Sequence, residues 1–238
     1  MKFVLAALAA ALTAGALPAY ADEAASPLSF NLSLTSDYRY RGISQSRLKP
    51  ALQGGADYDF GNGFYVGTWA STIKWIKDAG GDGNVEIDVY GGYKTEVTKG
   101  LTLDLGVLQY YYPSNKLNPS TNTFELYGAL SFGPVTAKYS HSTTNLFGFA
   151  DSKNSGYLDV SATFEIGEGF NLVPHVGHQT VKHLSSASYT DYSIGVTKDY
   201  AGFTFGASYV STDAEGYVGK NGKDLGKNGV VVSIKKVF

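Results

Sequence analysis

The 238-residue sequence contains no cysteine, so neither disulfide bonds nor thiol chemistry can contribute to its fold or activity. Long apolar runs are missing too. Past the N-terminus, no stretch reaches the about 20 residues that a membrane-spanning helix requires. Charge is scarce, at 17% of residues, with a formal net charge of −2 and no basic tract. That balance argues against nucleic acid as a partner. What the chain has in quantity is 29 glycines, 18 tyrosines and 13 phenylalanines, a composition suited to a barrel with aromatic girdles.

The N-terminus carries a processing signal. Met1-Lys2 supplies a short positive start, residues 3–16 an apolar segment, and Ala19-Tyr20-Ala21 an A-x-A cleavage site. The apolar segment is too short to cross a bilayer as a helix. Residues 1–21 therefore read as a secretory signal peptide, with the mature chain, 22–238, beginning at Asp22.

Beyond it, period-two alternation dominates. Across residues 28–41, Leu28, Phe30, Leu32, Leu34, Tyr38 and Tyr40 share one parity, and Asn31, Ser33, Thr35, Asp37, Arg39 and Arg41 the other. Successive side chains of a strand point to opposite faces, so one face is apolar and the other polar. About twelve such segments follow one another, each close to the roughly 9–11 residues that a tilted strand needs to cross a bilayer. Two are irregular. Residues 64–73 are ambiguous in phase, because Tyr65 and Trp69 oppose Phe64 and Val66; in the ninth segment Pro174 predicts a bulge or bend. Short connections at 61–63, 95–100, 133–134, 167–169 and 199–202 alternate with longer polar ones at 42–49, 74–84, 114–121, 142–155, 181–188 and 213–227. Short periplasmic turns and long external loops are the wiring of bacterial outer-membrane barrels with an even strand number.

A soluble barrel of the lipocalin type alternates as well, but with its apolar face inward. Two observations favour lipid contact here. Charges fall almost wholly on one parity, and aromatics gather at the ends of the apolar face, at Tyr38, Tyr58, Phe60, Tyr93, Phe132, Phe164, Phe170, Phe203 and Phe238. The fold class is therefore all-β, an antiparallel up-and-down transmembrane β-barrel of about twelve strands.

The polar parity supplies the candidate pore-lining residues: Asp37, Arg39, Arg41, Asp57, Glu86, Asp88, Lys94, Asp104, Glu125, Lys138, Asp159, Glu165 and Asp191, with Asp59 and Lys235 beside them. Charged rings set ion preference, and the acidic excess favours cations. The bland alternative is a salt-bridged plug that ties strands together. A barrel of this size falls between side-chain-filled small barrels and wide 16–18-stranded porins, which predicts a narrow pore for ions or small hydrophilic solutes. A second reading is a rim hydrolase using His141, His175, His178 or His183 with Ser140, Ser142 and Asp191, although no G-x-S-x-G elbow is present. A third is a structural or adhesin barrel without transport. No cofactor or metal is expected: His175 and His178, offset by three, fall on opposite faces, and Asp78, Asp82 and Asn84 lack the spacing of a calcium loop. The residues identify no oligomeric interface.

Ser36-Asp37-Tyr38-Arg39-Tyr40-Arg41-Gly42-Ile43-Ser44-Gln45-Ser46, followed by Pro50-Ala51-Leu52-Gln53-Gly54-Gly55-Ala56-Asp57-Tyr58, resembles the opening of the TorF family of proteobacterial outer-membrane porins. The blocks Glu86–Tyr93 and Gly106–Pro113 are similar to later blocks of that family. The resemblance extends over essentially the whole mature chain and implies an outer-membrane barrel. The C-terminus resembles the insertion signal read by the barrel-assembly machinery, with Val230, Val232, Ile234 and a terminal Phe238. Lys236 departs from that pattern, at a rim position where its ammonium can snorkel to water. Expected partners are thus outer-membrane lipid, the assembly machinery and small solutes.

Overall fold

A computed structural model describes residues 26–238; the signal peptide expected over residues 1–21 and the start at Asp22 lie outside the described residues. The strand segments are β1 (Leu28–Thr35), β2 (Arg39–Tyr40), β3 (Ile43–Ser44), β4 (Ala51–Asp59), β5 (Phe64–Thr72), β6 (Val85–Thr98), β7 (Leu101–Tyr111) and β8 (Thr123–Phe132). They continue with β9 (Val135–Ser142), β10 (Gly156–Ala162), β11 (Phe164–Gly167), β12 (Phe170–Thr180), β13 (Tyr189–Tyr200), β14 (Phe203–Thr212) and β15 (Gly229–Val237). Between β5 and β6 lies one helical turn, α1 (Trp75–Asp78).

All but β2 and β3 belong to one antiparallel sheet in which strands pair with their neighbours in sequence, except that β10 and β11 both pair with β12. The sheet closes because β1 pairs with both β4 and β15, Leu34 facing Leu52 on one side and Ile234 on the other. The closing ladder runs to the last residue, where Phe238 N–H donates to Phe30 O at 2.9 Å. β10 and β11 lie end to end along β12, so the wall is a closed barrel of twelve strands. Full closure leaves no edge of unpaired N–H and C=O groups, which hydrocarbon would not tolerate.

The apolar parity faces outward. Phe30, Leu32, Leu34, Val89, Leu105, Leu126, Leu130, Leu158, Ile194 and Val232 are all exposed on the outer surface. A continuous apolar belt of this kind is far larger than the patches that a water-soluble surface carries, and it matches lipid contact. Of the expected girdle, Tyr58, Phe60, Tyr93, Phe132, Phe164, Phe170 and Phe238 are exposed. Tyr38 is a correction, being fully buried at 0% exposure. The reason is that β1 stops at Thr35, and residues 36–50 leave the wall and fold inward although their alternation continues.

Register settles the ambiguous third segment. Tyr65 pairs with Asp59 and Trp69 with Asp88, so both rings face inward with the carboxylates, while Phe64 and Val66 are exposed outside. The bulge expected at Pro174 is displaced. β12 runs unbroken and keeps its register past the proline, from Ser161 opposite His175 to Phe164 opposite Leu172. The interruption falls on the facing strand, between β10 and β11, where Pro174 has no N–H to offer. The register shift itself lies further on, between Glu165 and Gly167.

Inward tyrosines lie against the wall over glycines of adjoining strands. A Cβ at Gly67 would come 2.5 Å from the Tyr90 ring, and one at Gly92 2.5 Å from the Tyr65 hydroxyl. Gly106 and Gly177 stand in the same relation to Tyr127 and Tyr157. Only glycine leaves room for rings packed flat along the bore rather than across it.

Two outcomes are expected. Leu126→Arg, in the middle of β8, destabilises the folded barrel by about 2–4 kcal/mol in urea refolding into liposomes; unchanged stability would show that this face does not meet hydrocarbon. Gly177→Ala forces Tyr157 from its place and costs about 1–3 kcal/mol in the same assay.

Candidate functional site

The site is the interior of the barrel together with the segment 36–50 that enters it. Asp37 organises that segment. Its carboxylate accepts from the hydroxyls of Ser44, at 2.5 Å, and Ser46, at 3.0 Å, and pairs with Arg39. β2 and β3 then form a hairpin whose two turn residues, Arg41 (φ 47°) and Gly42 (φ 79°), both take the left-handed conformation that two-residue hairpin turns require. The tip reaches β13, three strands round the barrel from β1, where a Cβ on Gly42 would sit 2.7 Å from Cβ of Asp191. Asp37, Arg39 and Arg41 are therefore not residues of the first strand, as parity alone suggests. They belong to an inward hairpin.

This hairpin is fastened on several sides. Arg39 donates to the carbonyls of Gly42 (3.0 Å), Leu225 (3.3 Å) and Lys227 (2.8 Å), which ties it to the long loop before β15. Arg47 pairs with Asp78 of α1, and the N–H of Lys74 donates to Gln45 O at 2.8 Å. Arg41 donates to both oxygens of Glu125 on β8, at 3.0 and 2.8 Å, and to Gln179 on β12 at 2.7 Å. Its guanidinium lies 4.8 Å from the centre of the Tyr40 ring and 4.3 Å from that of Tyr157. Burial works against the Arg41 charge, but Glu125 outweighs it and raises the guanidinium pKa well above its ordinary value. Removing either partner would leave a buried charge uncompensated.

Next to the hairpin, Tyr38 donates to Glu86 Oε1 at 2.6 Å, and burial followed by the Glu86 charge pushes the Tyr38 hydroxyl well above its usual pKa. Tyr40 donates to the Tyr110 hydroxyl at 2.7 Å. On the far wall, Tyr157 donates to Asp191 at 2.9 Å and lies 3.2 Å from His175, which meets Asp159 at 2.6 Å. Toward the end of the barrel that carries the short turns, the lining carboxylates are more open. Tyr65 donates to Asp104 at 2.7 Å and contacts the Tyr127 hydroxyl, Tyr90 donates to Asp57, and the Lys138 ammonium stands 4.0 Å over the Tyr127 ring.

The other expected residues occupy the inner face: Asp57 on β4, Glu86, Asp88 and Lys94 on β6, Asp104 on β7, Glu125 on β8, Lys138 on β9, Asp159 on β10 and Asp191 on β13. Glu86, Asp88, Glu125 and Asp191 are buried beneath the hairpin, whereas Asp57, Lys94, Asp104, Lys138 and Asp159 are partly open. Glu165 shares the inner face through its pairing with Asn171 but sits exposed at the rim. The inward tyrosines and Gln179 complete the set. Their parity marks them as interior, but nothing in the sequence reveals their partners. On the outer parity His141 lies half-buried against Asn154 and His178 exposed against Thr190, and Asp78 and Asp82 are paired with Arg47 and Lys116. At the C-terminus Val230, Val232 and Phe238 are exposed outside, and the Lys236 ammonium lies 5.1 Å from the centre of the Phe238 ring.

Solved structures share this architecture. A KdgM porin superposes with a TM-score of 0.56 at 6% identity, over 88% of this chain and 96% of that one. The structure described as KdgM porin in complex with disordered oligogalacturonate gives 0.57 at 6% identity, over 89% and 98%. A NanC porin gives 0.55 at 14% identity, over 88% and 98%. Identities this low establish a common fold. No curated protein matches the sequence. Over residues 21–238 the sequence matches Gcw_chp, a bacterial protein family of unknown function, and the chain belongs to that family.

Proposed function

We propose that this barrel is a porin-type channel of the outer membrane, passing ions and small hydrophilic solutes without energy input and favouring cations. The observation that carries the reading is the separation of charge across a closed sheet: apolar side chains outside, ionisable ones inside. An interior of this kind needs water or mutual pairing, since unpaired buried charge is costly. The fold shared with KdgM and NanC porins and the resemblance to TorF porins support the same reading.

The hairpin at 39–44 narrows the external half of the bore, while the periplasmic half is lined by tyrosine hydroxyls and partly open carboxylates. Along the bore Asp57, Asp59, Glu86, Asp88, Asp104, Glu125, Asp159 and Asp191 outnumber Arg41, Lys94, Lys138 and Lys235. A polyanion such as the oligogalacturonate of the KdgM complex would meet net repulsion along such a lining. Hydrolysis at the rim draws little support: Ser140 and His141 are adjacent on one strand, so their side chains fall on opposite faces. Export by the N-terminal signal and insertion through the Val230, Val232, Ile234 and Phe238 pattern complete the proposed route to the membrane.

The refolded mature chain is expected to give discrete conductance steps in planar bilayers; a silent membrane with folded protein would overturn the channel reading. Arg41→Ala, which frees the hairpin tip, should raise the step size severalfold. In a salt gradient the wild type should show cation preference, and neutralising Glu86, Asp88 and Glu125 together should move the reversal potential toward zero. An unchanged potential would exclude these three from the ion path.

A further inference from the structure

We infer that Asp88 and Glu86 form a binding site for a small organic cation bearing N–H donors, a primary ammonium or guanidinium group on a passing solute. This inference deepens the channel reading and rests on it only in that the bore is the route to the site.

The two carboxylates project inward two residues apart on β6, buried to 4% and 1% exposure. Glu125, the third buried acid of this region, is matched by Arg41. Glu86 accepts from the Tyr38 hydroxyl, and among the described residues no cation lies within ion-pair distance of Glu86 or Asp88. Among the described residues Asp88 Oδ1 has no hydrogen-bond partner. Buried polar atoms are nearly always satisfied, so a buried carboxylate oxygen without a donor marks a place for one.

The surroundings specify the donor. Register sets Trp69 on β5 and Tyr110 on β7 directly beside Asp88, and Tyr38 lies edge-on to Trp69 at 5.4 Å. Carboxylates walled by aromatic rings suit a polarisable N–H cation, which bonds the oxygens and faces the rings. They suit a hard metal ion poorly, because calcium requires about 6–8 oxygen ligands. Among the described residues no group of three or more His, Asp or Glu side chains could hold a metal ion. The protein also contains its own example of the chemistry. Arg41 docks its guanidinium on Glu125 between the rings of Tyr40 and Tyr157.

Trp69 and Trp75 are the only tryptophans of the chain, which makes emission a local reporter. The Trp75→Phe protein, refolded in detergent micelles, is titrated with methylammonium chloride and, at matched ionic strength, with potassium and calcium chloride. A saturable change in Trp69 emission is expected for methylammonium alone. It should weaken about tenfold or more in Asp88→Asn and in Glu86→Gln. Glu215→Gln, in the exposed last loop, should leave the response in place. Retention of the folded, heat-modifiable gel mobility confirms that each variant still forms a barrel. Equal saturation by potassium or calcium would overturn the proposed ligand class, and an unaltered response in Asp88→Asn would overturn the site. A barrel that conducts in bilayers but shows no saturable response overturns the site and leaves the channel. A saturable response in a barrel that does not conduct upholds the site and removes the channel.

Discussion

Everything in this structure depends on the closing of one hydrogen-bonded ladder. In hydrocarbon an unpaired peptide group costs several kcal/mol, so a strand-built wall must meet itself. It does so where β1 lies between β4 and β15. Closure fixes two faces, and the two-residue period then assigns every side chain to lipid or to the interior. The charge distribution follows from that assignment: carboxylates and lysines that would be intolerable outside accumulate within.

The accumulation raises a second problem, which the inward segment 36–50 partly solves. Glu125 would be an uncompensated charge without Arg41, and Arg41 arrives by way of a hairpin whose turn demands left-handed backbone at two successive residues. Tyrosines packed over glycines lie close against the remaining wall. Glu86 is met by the Tyr38 hydroxyl, whereas Asp88 Oδ1 finds no donor among the described residues.

Much of this was legible in the sequence, because the period-two pattern carries the face of each residue. Twelve strands and the inner location of Asp57, Glu86, Asp88, Asp104, Glu125 and Asp191 follow from parity. Parity cannot say where a strand stops. Asp37, Tyr38, Arg39 and Tyr40 continue the alternation of β1 while belonging to the segment that folds inward, so Tyr38 reads as a girdle residue and is instead buried. Nor can parity name partners. Arg41 meets residues 84 and 138 positions away, contacts that only barrel curvature brings together. For Tyr65 and Trp69 the local pattern conflicted, and pairing with neighbouring strands decided it.

The bonds from Arg39 to the carbonyls of Leu225 and Lys227 reach beyond the hairpin itself. They join a segment following the first strand to one preceding the last, above the seam where those strands meet. The barrel is thus stitched twice where its first and last strands meet, once by backbone pairing in the wall and once by a guanidinium clasp at the rim that carries the long loops. A closed wall can part sideways only by breaking such a ladder, and at this seam the guanidinium would have to release its two carbonyls as well.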